Sequence, residues 1–271
     1  MNQRLGQWIA VAGQEIRKLS VCLTNSSEQP QTLEARLIPV DHIWDYRCET
    51  GSVIATTALT VPPGEFQWIE WDVQADLEHG LNPQSYVRLD LLANPMLVWH
   101  GSDHILPGHV SAFEMGQGRM RRNWSGPTMS YRIDPPQLSY SPDQVVSGVT
   151  RPYQYTNLWR SDPSASLPQW LALEWETTQT ITDVELTFPG HLLWEYHGYQ
   201  PLYRDEQCPS DYSIEVWKDG SWTQVVKVKG NYQRHRRHRL EQSVQTSQVR
   251  VVIEGTNGDP SAAIYELRCY S

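Results

Sequence analysis

Apolar and polar positions alternate along most of this chain in short runs, and almost nowhere recur with the spacing of a helix face. Residues 18–24 (KLSVCLT) read as a strand closed by a turn at 25–30 (NSSEQP). Residues 32–39 (TLEARLIP) alternate again and are expected to pair with that strand. A turn at 61–64 (VPPG) precedes 66–73 (FQWIEWDV), where Phe66, Trp68 and Glu70 share one face and Gln67, Ile69 and Trp71 the other. Residues 86–92 (YVRLDLL) and 96–99 follow as further strands. Six or seven short strands punctuated by Pro and Gly predict an immunoglobulin-like or jelly-roll β-sandwich over residues 1–130.

From 107 to 136 the alternation fails, and Gly, Arg and Pro appear without period, as in a connection between domains. Beyond a boundary placed near 130 the strand pattern restarts at 169–175 (QWLALEW), with Trp170, Ala172 and Glu174 opposite Leu171, Leu173 and Trp175. Residues 180–188 put Ile181, Asp183, Glu185 and Thr187 on one face and Thr182, Val184, Leu186 and Phe188 on the other. Residues 211–217, 222–229, 248–253 and 264–269 complete a second β-domain, 131–271. Between its strands lies a 22-residue insertion, 189–210 (PGHLLWEYHGYQPLYRDEQCPS). Loops this long are uncommon in compact domains unless they bind something. The fold class is therefore all-β, two sandwiches in series.

Charge and composition narrow the function. With 22 Lys and Arg against 31 Asp and Glu, the net charge of −9 argues against a nucleic-acid partner, which requires a broad basic face. Twelve Trp and 13 Tyr stand against 3 Phe, so most rings carry a polar edge and suit surfaces that are apolar on one side and wet on the other. No run approaches the roughly 20 apolar residues that span a bilayer, and residues 1–10 lack the layout of a signal peptide. No membrane partner is expected, and a cytoplasmic location is the default. The chain also enters strand-like sequence at once, as a piece of a longer protein does.

Catalytic signatures are missing: there is no GxSxG, HExxH or P-loop. His100, Asp103, His104 and His109 form the nearest approach to a metal cluster, but on extended sequence their spacing shares no face. Cys22, Cys48, Cys208 and Cys269 are too far apart for a CxxC motif. Three disulfide pairings are arithmetically open, and reduced thiols are the expectation.

Six ordered motifs carry a resemblance. Asn157-Leu158-Trp159 followed by 168–173 (PQWLAL), then 180–184 (TITDV), 212–217 (YSIEVW), 249–251 (VRV) and 263–267 (AIYEL) resemble the strands of discoidin domains, the coagulation-factor type C, galactose-binding-like sandwiches. The resemblance covers about 140–271 and implies a jelly roll whose loops at one end take ligands in the sugar-binding members. A sugar site needs aromatic faces and forked polar groups. The loop entering the domain supplies Arg151, Tyr153, Tyr155 and Asn157, and the insertion supplies Trp194, Tyr196, His197, Tyr199 and Tyr203. The resemblance also implies a structural calcium held by loop carbonyls and a closing-strand carboxylate, here Glu266. The assisting loop carboxylate of an Asp-Gly pair is replaced by Ser147-Gly148, and Glu266 can equally pair with Arg250 or Arg268.

A narrower resemblance joins 157–162 (NLWRSD), 230–234 (GNYQR) and 256–262 (TNGDPSA) to the C-terminal region of bacterial FAD-dependent oxidoreductases. No G-x-G-x-x-G follows a strand, so the flavin-binding half lies outside this chain. Finally, residues 234–239 hold four Arg and two His, which reads either as a paired or solvated edge or as a patch for an acidic partner such as a uronate polymer. The leading expectation is a non-catalytic carbohydrate-recognition module with a glycan or polysaccharide as partner. The alternatives are the structural tail of a flavoenzyme, with an upstream flavin domain as partner, and a glycoside hydrolase fragment.

Overall fold

The computed structural model describes residues 1–11, 16–40, 42–43, 53–74, 85–102, 106, 108–116, 118–123, 127–136, 138–190 and 204–271. The chain divides into two compact units. One comprises Met1–Ser139 with Pro152–Thr156, the other Tyr140–Arg151 with Asn157–Ser271. The division falls beyond the boundary expected near 130, because residues 131–134 form a strand of the first unit. No helix among the described residues is long and apolar enough to cross a membrane.

The first unit contains β1 (Leu5–Val11), β2 (Lys18–Asn25), β3 (Gln31–Val40), β4 (Ala55–Val61), β5 (Gly64–Asp72) and β6 (Ser85–Leu91). Shorter strands follow: β7 (Leu97–Trp99), β8 (Gly101–Ser102), β9 (Ser111–Glu114), β10 (Met120–Asn123), β11 (Thr128–Met129) and β12 (Tyr131–Asp134). Six form one sheet in the order β10-β9-β1-β6-β3-β4, and β12-β2-β5 form the facing sheet, with β7 paired to β2. The core lies between them. Ile9, Val11, Leu33, Leu37, Val87, Leu89 and Leu91 meet Leu19, Val21, Leu23, Trp71, Leu97 and Trp99. This is the sandwich that the alternation implies, with Trp71 inward and Phe66 and Trp68 outward.

The expected pairing of β2 with β3 does not occur. β3 pairs with β4 and β6, while β2 pairs with β5, β7 and β12, so the 26–30 connection passes from one sheet to the other. Asn25 anchors that crossing, its buried amide donating to the carbonyls of Gln29 and Val61 at 2.9 Å each. β1 and β6 are buried on both faces. Their second face carries Trp8, Tyr86 and an Arg88–Asp90 pair, bidentate at 2.6 and 2.8 Å and fully buried. Gly6 lies opposite Asp90 for steric reasons: a Cβ there would sit 2.7 Å from the carboxylate.

The second unit opens with a 3₁₀ turn (Pro142–Val146), then β13 (Trp159–Arg160), β14 (Gln169–Thr187), β15 (Pro209–Lys218), β16 (Ser221–Val228), β17 (His235–Thr256), β18 (Ala263–Ile264) and β19 (Glu266–Tyr270). Five strands run β16-β15-β17-β14-β19, and β13 pairs with β18. Leu171, Val184, Leu186, Ile214, Val216, Val249, Val251 and Ile253 build the core. A register shift between Ile181 and Asp183 lets Ile181 join that core although simple alternation puts it with Asp183 on the other face. β15 and β16 turn on Asp219-Gly220, with φ of 53° and 79°, the left-handed pair that a tight hairpin requires.

Candidate functional site at the loop end of the second unit

Three loops of the second unit are tied to one another where β15 and β17 meet. Asn257 donates from its amide to the carbonyls of Cys208 (2.9 Å) and Asn231 (3.1 Å), and the backbone N–H of Asp259 donates to Glu206 at 3.0 Å. Asn231 donates to the Pro209 carbonyl at 2.8 Å, and its own carbonyl oxygen accepts from Arg236 at 3.0 Å. Side-chain amides thus replace the ladder bonds that irregular backbone lacks.

Arg234 follows the 230–233 segment of this end. Its guanidinium donates to the Thr150 carbonyl, lies 5.7 Å from the Tyr265 ring and packs so closely on Gly190 that a Cβ there would meet its side chain at 3.0 Å. Burial pulls its pKa below the usual arginine value, although the group stays charged. Its Nε is buried without a hydrogen-bond partner among the described residues. A buried donor left open in this way costs free energy unless a water, ion or ligand accepts from it. Tyr232, two residues earlier, is 47% exposed. Neither residue was among the expected sugar-binding residues, and Arg234 entered only as part of the 234–239 run, read as an edge or an acidic-partner patch. Arg234 opens a run of charges that reads as surface, and the G-N-Y-Q-R context is its only local signal.

The residues expected to bind ligand are distributed differently. Arg151 is exposed and belongs to this unit. Asn157 is nearly buried, adopts a left-handed φ of 52° and donates to the Arg151 carbonyl at 3.1 Å, so it shapes the loop. Tyr153 and Tyr155 belong to the first unit. Tyr153 stacks on His42, their ring centroids 5.1 Å apart. Tyr155 is 3% exposed and packs with Trp8 and Tyr86, so its ring plugs a core and presents no face to solvent. Trp194, Tyr196, His197, Tyr199 and Tyr203 lie outside the described residues.

Glu266 is buried at 5% exposure. One carboxylate oxygen accepts from Arg268 Nε at 2.8 Å, and the other has no partner among the described residues. The pairing with Arg268 is one of the two alternatives raised by the sequence, while Arg250 pairs instead with Glu215. The open oxygen suits a hard cation, whose other ligands would be backbone carbonyls. Among the described residues no group of three His, Cys, Asp or Glu is placed to hold a metal. His100 is engaged by Thr24 and His109 by Tyr131, at 2.8 and 2.7 Å, while Asp103 and His104 lie outside the described residues.

Residues 235–239 of the run open β17, and their strand partner among the described residues is β14. Its outward charges are met across the ladder, His235 by Glu185 at 3.0 Å and Arg237 by Asp183 at 3.1 Å. Inward, His238 meets the Tyr212 hydroxyl at 2.9 Å. Cys22, Cys208 and Cys269 are free thiols, and Cys48 lies outside the described residues. Burial, aided by Asp205, pushes the Cys208 thiol up to about 12, which removes it as a nucleophile at neutral pH.

The family model of the F5/8 type C domain matches residues 137–267, within the second half of the chain. No curated protein matches the chain. Solved structures similar to it include the family 32 carbohydrate-binding module of Streptococcus pneumoniae EndoD, at 17% identity, TM-score 0.39, covering 48% of this chain and 85% of that one. The family 32 module of C. perfringens NanJ in complex with galactose shows 14% identity and TM-score 0.40, covering 50% and 88%. A chitosan-binding module from a Paenibacillus chitosanase/glucanase shows 17% identity and TM-score 0.39, covering 49% and 87%. None of these comparisons bears on the resemblance to oxidoreductase tails.

Proposed function

We propose that the second unit, which the F5/8 type C model matches, is a non-catalytic carbohydrate-binding module that takes a sugar at its loop end. The observation that carries this reading is Arg234, a guanidinium wedged between a loop carbonyl and a tyrosine ring, with a buried donor awaiting an acceptor. A sugar hydroxyl is such an acceptor, and an exposed ring such as Tyr232 covers the apolar C–H face of a pyranose. The family match and the carbohydrate ligands named for similar modules agree with it. Affinity should fall in the micromolar to millimolar range, about 4–8 kcal/mol, because a small wet site recovers little.

Calorimetric titration with galactose and a panel of monosaccharides tests the reading. The full chain should bind at least one of them, and Arg234→Ala should weaken that binding by about tenfold or more. Millimolar titrations without heat from any sugar would remove the proposal. Calcium at Glu266 belongs to the same reading, with the open carboxylate oxygen as ligand. Added Ca²⁺ should raise the melting temperature of the chelator-treated protein, and Glu266→Gln should abolish that rise.

A further inference from the structure

The outer face of the β16-β15-β17-β14 sheet is not built like an ordinary solvent face. Cross-strand register places Trp170, Ala172 and Glu174 beside Val252, Arg250 and Gln248, then Ser213, Glu215 and Trp217, and finally Trp222 on β16. Trp170 is 58% exposed, a large ring left open on the solvent face of the sheet. The Arg250 guanidinium lies 4.3 Å from the Trp222 ring and 6.0 Å from the Trp170 ring, and Trp217 meets Trp222 edge-on at 5.3 Å.

Polar groups on this face are held in place. Glu215 accepts from Arg250 at 2.7 and 2.5 Å, and Gln248 donates to Glu174 at 3.0 Å. Further along, Lys227 pairs with Glu254. Arg250 and Lys227 are each matched by a carboxylate, so neither is left free for a polyanion. What the sheet does offer is one open indole face beside alternating donors and acceptors whose rotamers are already fixed. That complements a neutral, polyhydroxylated ring, apolar on its C–H face and hydrogen-bonding at its rim.

We propose that this sheet face is a second saccharide-binding surface, where Trp170 stacks on a pyranose unit of a neutral polysaccharide and Arg250, Gln248 and Glu174 bind the hydroxyls at its rim. It rests on the carbohydrate reading only for the class of ligand, and uses none of the loop-end residues. A flat sheet face has no walls to enclose a terminal sugar, so it suits internal units of a chain.

Native electrophoresis of the full chain through gels containing galactan, galactomannan or hydroxyethylcellulose tests this, with polygalacturonate as the anionic control. The chain should be retarded by at least one neutral polymer. Trp170→Ala should lose about tenfold in apparent affinity, and Trp170→Phe should retain part of it. Because Trp170 is exposed, both variants should keep the parent melting temperature and circular dichroism. Arg234→Ala, read in the same gels and by galactose calorimetry, separates the two sites: loss through Trp170→Ala with Arg234→Ala unaffected supports the sheet face. The proposal is overturned if Trp170→Ala is retarded like the parent, if only Arg234→Ala loses retardation, or if no neutral polymer retards the parent. Stronger retardation by polygalacturonate overturns it too, as does sedimentation showing that Trp170 instead holds two copies of the chain together.

Discussion

Arg234 and His238 sit four positions apart on one charged run, yet burial acts on them to different effect. An arginine stays charged, so the loop end keeps a cation and must satisfy it. A histidine sheds its proton, and burial, followed by the nearby Arg236, holds the His238 pKa below its usual value. The sign of the linkage follows. Well above pH 7 His238 is neutral folded or unfolded and contributes little pH dependence. As pH falls through about 6.5 the unfolded chain takes up a proton that the native imidazole declines, so stability is lost over that window. The urea midpoint should drop between pH 7.5 and 5.5, and His238→Gln should flatten the decline; an unchanged slope would show that the Tyr212 contact tolerates protonation.

Strands were legible because alternation records which side chains face inward. The buried positions Leu171, Val184, Leu186 and Trp71 follow from spacing alone. Neighbour identity was not legible, since alternation assigns a face and not a partner, and β2 and β3 part into different sheets despite adjacent, matching patterns. Bulges escape for a related reason: the register shift between Ile181 and Asp183 resets the phase without any change in composition. At the candidate site, the placement of the expected loop side chains was not legible. Tyr155 and Tyr153 look alike as loop aromatics, yet one fills a core and the other stacks beside it, because residue type does not encode which way a ring turns. Turn chemistry can be tested directly at Asp219, whose left-handed φ a β-branched residue resists. Asp219→Val should cost about 1–2 kcal/mol in urea unfolding, and Asp219→Gly should be nearly neutral.

At the scale of the molecule, two cores of comparable make-up share one acidic chain, and they are not separated cleanly along it. Pro152–Thr156 belongs to the first unit although the chain has already entered the second by Tyr140. Within that segment Tyr155 is buried among Trp8, Ala10 and Tyr86, and the Thr156 hydroxyl donates to the Ser139 carbonyl. A chain ending at residue 139 should therefore unfold at lower urea than one ending at 156, and Tyr155→Ala in the full chain should cost about 3–5 kcal/mol, as large-to-small changes of buried rings do. Equal midpoints for the two truncated chains would show that the plug contributes nothing. The interleaving also bears on inheritance. A recombination event that lifted the C-terminal module out as a contiguous stretch would either carry off its neighbour's plug or leave it behind, so these two folds travel most easily as a pair.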